Sequence, residues 1–121
     1  MTGVLAHVAV VEDDMPVRRA LVRVLAAAGF RVSSYSSAEE FLAIANGSAG
    51  CALIDVHLPQ MDGLELAERL RESVRPIPVV LITADHDLAH REQVRLRGGI
   101  CLTKPIDEHT LLDAISQAMK H

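Results

Sequence analysis

Acidic, hydroxyl and ammonium groups stand at the ends of four apolar runs in this chain. Val10-Val11 leads into Glu12-Asp13-Asp14, Leu53-Ile54 into Asp55, Leu81-Ile82 into Thr83, and Cys101-Leu102-Thr103 into Lys104. A carboxylate beside a hydrophobic core is expensive to keep charged unless something compensates it. Three carboxylates in one pocket also repel each other. Proton uptake relieves that repulsion, and so does a hard divalent cation with oxygen ligands. Mg²⁺ suits such a set, because it binds through one or two carboxylates, keeps waters and recruits phosphate oxygens. A lysine and a threonine hydroxyl both suit a phosphate. A carboxylate can itself accept a phosphoryl group and become an aspartyl phosphate.

These groups meet only if the elements carrying them bring them to one place. The spacing predicts strand then helix, five times over. Ala6 to Val11 is a β-branched apolar run. Pro16 suits a first helical turn, Asp14 suits its cap, and Val17, Ala20, Leu21, Val24, Leu25 and Ala28 share a face until Gly29. Phe30 to Tyr35 is a weaker strand. Ser37-Ala38-Glu39-Glu40 reads as a capping box opening a helix through Phe41, Leu42, Ile44 and Ala45 to Asn46-Gly47. Cys51 to Val56 is a third strand, closed by Leu58-Pro59-Gln60-Met61-Asp62-Gly63, which turns into a helix with Leu64, Leu66, Ala67 and Leu70. Val79 to Ala84 is a fourth strand. Asp85 to Arg97 makes a poor helix: Leu88, Ala89, Val94 and Leu96 form no clean stripe, and Arg91, Arg95 and Arg97 crowd it. Ile100 to Thr103 is a fifth strand. Asp107 caps a last helix with Leu111, Leu112, Ile115 and Met119 inward. Such alternation implies an α/β fold with a doubly wound parallel sheet, covered on both faces. Ligands of such sheets bind outside the carboxyl ends of the strands, where the polar groups stand.

The 121 residues suffice for a single domain, 1–121, and no linker or repeat suggests a second. Half of the residues are hydrophobic but only 2% are aromatic, so the core is aliphatic. A net charge of −4 argues against nucleic acid as a direct partner. The first residues lack a signal-peptide pattern, and no apolar run reaches membrane-spanning length. Cys51 and Cys101 fall in predicted strands, which reads as reduced core thiols in a cytoplasmic protein. His86 and His90 have the spacing of helical metal ligands but no third partner, and read as solvated. Arg18, Arg19 and Arg23 read as a solvated helix face.

Val10-Val11-Glu12-Asp13-Asp14, Asp55 through Gly63, Leu81-Ile82-Thr83-Ala84 and Lys104-Pro105, taken in order, resemble the receiver domain of two-component response regulators. The resemblance covers the whole chain. It implies a flavodoxin-like (βα)5 fold with strand order 2-1-3-4-5. It implies that Asp55 takes a phosphoryl group from a phosphohistidine on a sensor kinase or phosphotransfer protein. Asp13, Asp55 and the His57 backbone carbonyl would ligate Mg²⁺, with Glu12 acting directly or through water. Thr83 and Lys104 would contact the phosphoryl oxygens, and the Lys104-Pro105 bond would be cis. His57 and Asp85 stand where receivers tune the loss of the phosphoryl group to water. The first helix would help dock the kinase.

The chain departs from the family at Cys101, where receivers usually carry a Tyr or Phe that switches rotamer. A small thiol cannot swing as a ring does. Arg95 and Arg97 replace apolar types, so the expected signalling face, the fourth helix with the fifth strand and fifth helix, is poorly apolar. Output would run through a protein target or an output domain, and the family allows a phosphorylation-dependent homodimer. Two competing functions are a degenerate receiver acting as a plain binding module and a phosphohydrolase working through an aspartyl phosphate. The second would need an insertion long enough to build a substrate cap, and no such stretch is visible.

Overall fold

Each apolar run forms a strand, and each following periodic stretch forms a helix. The structure, a computed structural model, describes residues 6–44, 49–84, 88–96 and 99–120. The elements in order are β1 (His7–Val11), α1 (Met15–Ala27), β2 (Arg31–Tyr35), α2 (Ala38–Ile44), β3 (Cys51–Asp55), α3 (Gly63–Arg71), β4 (Val79–Thr83), α4 (Leu88–Leu96), β5 (Ile100–Thr103) and α5 (Glu108–Met119). The strands pair in parallel in the order β2-β1-β3-β4-β5, as expected. β1 and β2 start one residue later than expected, and β3 and β4 stop one residue earlier. The ladder still reaches beyond them: Arg31 N–H bonds the Ala6 carbonyl at 2.9 Å, and Val56 N–H bonds that of Ile82 at 2.8 Å.

Alternation along the central strands sorts the core into two layers. Val8, Val10, Cys51, Leu53, Val80 and Ile82 meet Leu21 and Leu25 of α1 and Leu111, Ala114, Ile115 and Ala118 of α5. Ala9, Val11, Ala52, Ile54 and Leu81 meet Ala38 and Phe41 of α2, Leu66 of α3 and Val94 of α4. Burying each Val, Leu or Ile contributes about 1.5–3 kcal/mol, so the three central strands carry most of the core energy. The Tyr35 ring packs edge-on against Phe41, with centroids 5.1 Å apart.

Caps set the helix starts. Asp14 accepts from Val17 N–H at 3.1 Å, Asp62 from Glu65 N–H at 2.9 Å, and Asp107 from Thr110 N–H at 3.0 Å. Gly29 ends α1 with a left-handed φ of 101°, which glycine adopts without strain. The capping box of α2 closes one residue early. Ser37 Oγ accepts from Glu40 N–H at 3.0 Å, but the Glu40 carboxylate takes the N–H of Ser36 at 2.6 Å, not that of Ser37.

Three expectations, on α1, α5 and Cys101, need correction. Ala20 and Ala28 of α1 are exposed, not inward, because the buried stripe is narrower than predicted. In α5, Ala114 and Ala118 are buried while Leu112 and Met119 are half-buried. Helix α4 buries a single side chain, Val94, among its described residues, and Arg95 pairs with Glu92 on its exposed side. Cys51 is fully buried, but Cys101 is only half-buried. Neither forms a disulfide: the two lie on opposite faces of the sheet, with β4 between their strands. Burial pushes the Cys51 thiol up to about 12, so it stays protonated. Asp85, His86 and Arg97 lie outside the described residues, as do Ala45, Asn46 and Gly47, where the second helix was expected to end, and the His90 side chain.

Candidate functional site

The strand order places β1 beside β3, where the chain turns in opposite directions along the sheet. A crevice opens there at the carboxyl edge. Strand β1 runs directly into Glu12, which is fully buried, and β3 ends in Asp55, which is 3% exposed. Thr83 ends β4 and is fully buried. Lys104 follows β5, and its N–H bonds the Thr83 carbonyl at 2.9 Å, which aligns the two strand ends. The Lys104-Pro105 peptide is cis.

The side chains converge. Lys104 Nζ donates to Asp55 Oδ2 at 3.0 Å and lies 3.1 Å from Glu12 Oε1. His57 N–H donates to Asp55 Oδ1 at 2.9 Å. Asp13 is exposed at the rim, yet one carboxylate oxygen from each of Glu12, Asp13 and Asp55 lies within 4.8 Å of the others. The Thr83 hydroxyl is buried without a hydrogen-bond partner among the described residues. The structure therefore brings together Glu12, Asp13, Asp55 and Lys104, while Thr83 ends the neighbouring strand β4 and is tied to Lys104 through its backbone. The His57 side chain is exposed at the mouth, and its backbone holds Asp55. Cys101 faces the α4 side of the sheet, away from these groups.

Burial alone would push both buried carboxyls up. In Glu12 burial is joined by the hydrogen bond to Asp55 and by its charge, and the carboxyl rises to about 8. In Asp55 burial is outweighed by the hydrogen bond from Glu12, the His57 N–H and the Lys104 ammonium, which hold it below the usual carboxylate range. The two carboxyls are thus pulled apart, Glu12 toward its neutral form and Asp55 toward its ionised one. Burial lowers Lys104, but its two acidic partners prevail and raise it.

This asymmetry has a consequence for stability. Without metal, folded Glu12 holds its proton up to about pH 8, whereas an unfolded glutamate releases it near 4.5. The folded state binds the extra proton between those values, so stability falls as pH rises across that window. Asp55 acts in the opposite sense, stabilising above its ordinary 3.8 and losing that contribution as pH falls through its lowered value. In chelator, the melting temperature is expected to decline between about pH 5 and pH 8, and Glu12→Gln to flatten the decline. An equal decline in both proteins would remove Glu12 as its source.

Two supports were not visible in the sequence. Arg18, read as solvated, donates to the Glu12 carbonyl at 2.7 Å and so braces the acidic turn. Gly63, read as a simple turn residue, packs against the β3 backbone: a Cβ there would lie 2.2 Å from the Asp55 carbonyl oxygen. Its N–H closes the loop on the Val56 carbonyl at 2.9 Å. The Asp-Gly pair hinted at a turn, but its spacing does not show a backbone approach of this kind.

The fold and the crevice define a doubly wound, flavodoxin-like α/β domain with an acidic site at its topological switch point. Residues 8–116 match the family model of the response regulator receiver domain, and the chain belongs to that family. It is 35% identical over 113 residues to the response regulator protein TodT of Pseudomonas putida, covering 92% of this chain and 50% of that protein. It is 32% identical over 114 residues to the DNA-binding transcriptional regulator NtrC of Salmonella typhimurium, covering 93% and 24% respectively. Among solved structures, the response regulator StyR superposes with a TM-score of 0.85 at 37% identity, over 97% of this chain and 60% of that one. The chain thus spans about half the length of TodT, and less of NtrC. The name of the second relative does not match the expectation of no nucleic-acid contact, which was drawn from the charge of this chain alone. Among the described residues, no helix is long and apolar enough to cross a membrane.

Proposed function

We propose that Asp55 is the phosphoacceptor of this receiver domain. The observation that carries the reading is the convergence on one charged carboxylate of an ammonium and two further carboxylates, with an unpartnered buried hydroxyl on the residue that ends the next strand. An Asp55 oxygen attacks phosphorus, and the bond from phosphorus to the donor's imidazole nitrogen breaks. Asp55 is ionised at neutral pH, as a nucleophile must be. Thr83 donates its hydroxyl to a phosphoryl oxygen, which satisfies a group otherwise left without a partner. Lys104 exchanges its bond to Asp55 for the phosphoryl oxygens and offsets their charge.

The donor set fits Mg²⁺: three carboxylate oxygens, from Glu12, Asp13 and Asp55, lie within 4.8 Å of one another and repel each other unless a cation sits among them. Glu12, Asp13, Asp55 and the His57 carbonyl would hold the ion, which when bound offsets charge on the phosphoryl oxygens.

The phosphoryl donor is a sensor histidine kinase or phosphotransfer protein. A depression of about 530 Å³ lies beside Lys104, lined by Val17, Ala20 and Leu21 of α1 with Ala84, Pro105 and Ile106. It offers the donor an apolar seat next to the acceptor and accounts for the exposed Ala20. The domain turns over no external substrate and acts in the cytoplasm, in keeping with its two reduced thiols. Its signal leaves through the face of α4, β5 and α5, to a protein target, an output domain or a second copy. With Cys101 in place of a ring, the response rests on movement of the backbone around Thr83 and Ala84. DNA contact by a longer regulator is compatible with this reading, while the net charge of −4 opposes such contact by this chain itself.

The test is intact mass after incubation with acetyl phosphate. One added phosphoryl group is expected with Mg²⁺ and none in chelator. No addition in a folded protein that binds Mg²⁺, with acetyl phosphate and with a phosphohistidine donor alike, would overturn the reading.

A further inference from the structure

Glu39 lies outside the cluster, on the first turn of α2. It was read above only as part of a capping box. Its carboxylate does not serve the helix. Oε2 accepts the N–H of Met61 at 3.1 Å, across 22 residues of sequence. Oε1 is buried without a hydrogen-bond partner among the described residues. A half-buried carboxylate with an unsatisfied oxygen is a standing cost, and such groups call for an explanation.

The place that Glu39 holds supplies one. The loop from Val56 to Asp62 begins at the phosphoacceptor. Its second amide, that of His57, donates to Asp55. Its base is closed by Gly63 N–H on the Val56 carbonyl. Between these anchors the chain passes through Gln60, a non-glycine residue at a left-handed φ of 61°, which costs about 1–2 kcal/mol and needs outside support. Met61 follows at once. Helix α2 is itself fixed, since Ala38 is fully buried and Phe41 is 3% exposed on either side of Glu39. A rigid helix thus holds the strained corner of the loop through one carboxylate oxygen.

We propose that Glu39 is a positioning residue for phosphoryl transfer: by holding Met61 it fixes the loop that presents the His57 backbone to Asp55 and to the bound cation. This rests on the assignment of Asp55 above. It needs only an acceptor oxygen at Glu39, not a charge.

Three proteins test it: the unmodified chain, Glu39→Met, which keeps the length and helix preference without an acceptor, and Glu39→Gln, which keeps the acceptor. Calorimetric Mg²⁺ titration, the phosphorylation rate with acetyl phosphate and Met61 amide exchange are measured on each. Glu39→Met is expected to weaken Mg²⁺ binding and slow phosphorylation by roughly tenfold, the lower end for removing a group that orients a metal ligand, and to speed Met61 exchange. Glu39→Gln is expected to restore all three. Unchanged Mg²⁺ affinity in a folded Glu39→Met would overturn the proposal. So would a Glu39→Gln protein as impaired as Glu39→Met, including the case in which Glu39→Met does not fold and Glu39→Gln alone is compared with the unmodified chain. If the unmodified chain takes no phosphoryl group, the Asp55 assignment fails on its own, while Mg²⁺ affinity and amide exchange still decide the role of Glu39.

Discussion

Asp55→Asn takes up no phosphoryl group from acetyl phosphate in Mg²⁺, under conditions in which the unmodified chain takes up one. An amide lacks the negative charge that makes a carboxylate oxygen a nucleophile toward phosphorus, so the loss is complete and not a slowing. The substitution is otherwise mild. The Asn side chain still accepts the His57 N–H, and Lys104 keeps Glu12 as its partner at 3.1 Å. Without the hydrogen bond and charge of Asp55, two of the causes that raise Glu12 disappear, so Glu12 ionises more readily and pairs with Lys104. The variant therefore stays folded, with a melting temperature near that of the unmodified chain at neutral pH. Intact mass and thermal melting, run side by side, check both halves. Undiminished phosphorylation would move the acceptor to another carboxylate and undo the mechanism built on Asp55.

Gly63→Ala is the most damaging single methyl group that can be added near this site. The new Cβ would lie 2.2 Å from the Asp55 carbonyl oxygen, 2.8 Å from its carbon and 2.8 Å from Val56 Cα. All three are backbone atoms, so no side chain can rotate away. Either α3 lifts from the sheet or the end of β3 moves. The expected cost is about 3 kcal/mol, at the upper end for overpacking, or a fall in melting temperature of about 10 °C for a domain of this size. Phosphorylation suffers too, because the atoms that must move carry the acceptor. Gly29→Ala is the control. It is strained by its φ of 101°, but nothing lies within 4 Å of the added Cβ, so it lowers stability without slowing phosphorylation. A Gly63→Ala protein with unchanged melting and phosphorylation would mean that α3 does not sit where it is described.

The contrast between these positions shows what the sequence could reveal. Asp55, Glu12 and Thr83 were legible because each ends an apolar run, and a parallel sheet sends all such ends to one edge. The sheet order followed from the family resemblance, and the caps at Asp14 and Asp107 from local hydrogen bonding alone. The supports of the site escaped because their partners are distant in sequence. Glu39 and Met61, or Gly63 and Asp55, meet only after folding, and no periodicity marks them. Arg18 looked solvated because a long side chain on a polar face can still bend back to a carbonyl six residues earlier. Helix α4 was read as poor for a reason the structure shares: few apolar residues, and one buried side chain among those described.

The paucity of aromatic residues has an optical consequence. The chain has no tryptophan and a single tyrosine, Tyr35. That residue ends β2, its carbonyl accepts the N–H of Glu12 at 3.0 Å, and its ring rests on Phe41 of the helix that carries Glu39. All intrinsic emission excited above the phenylalanine band therefore comes from one residue, whose backbone is bonded to that of Glu12. The domain carries its own fluorophore where cation binding would be felt first, with no second emitter to mask it and no label to disturb it.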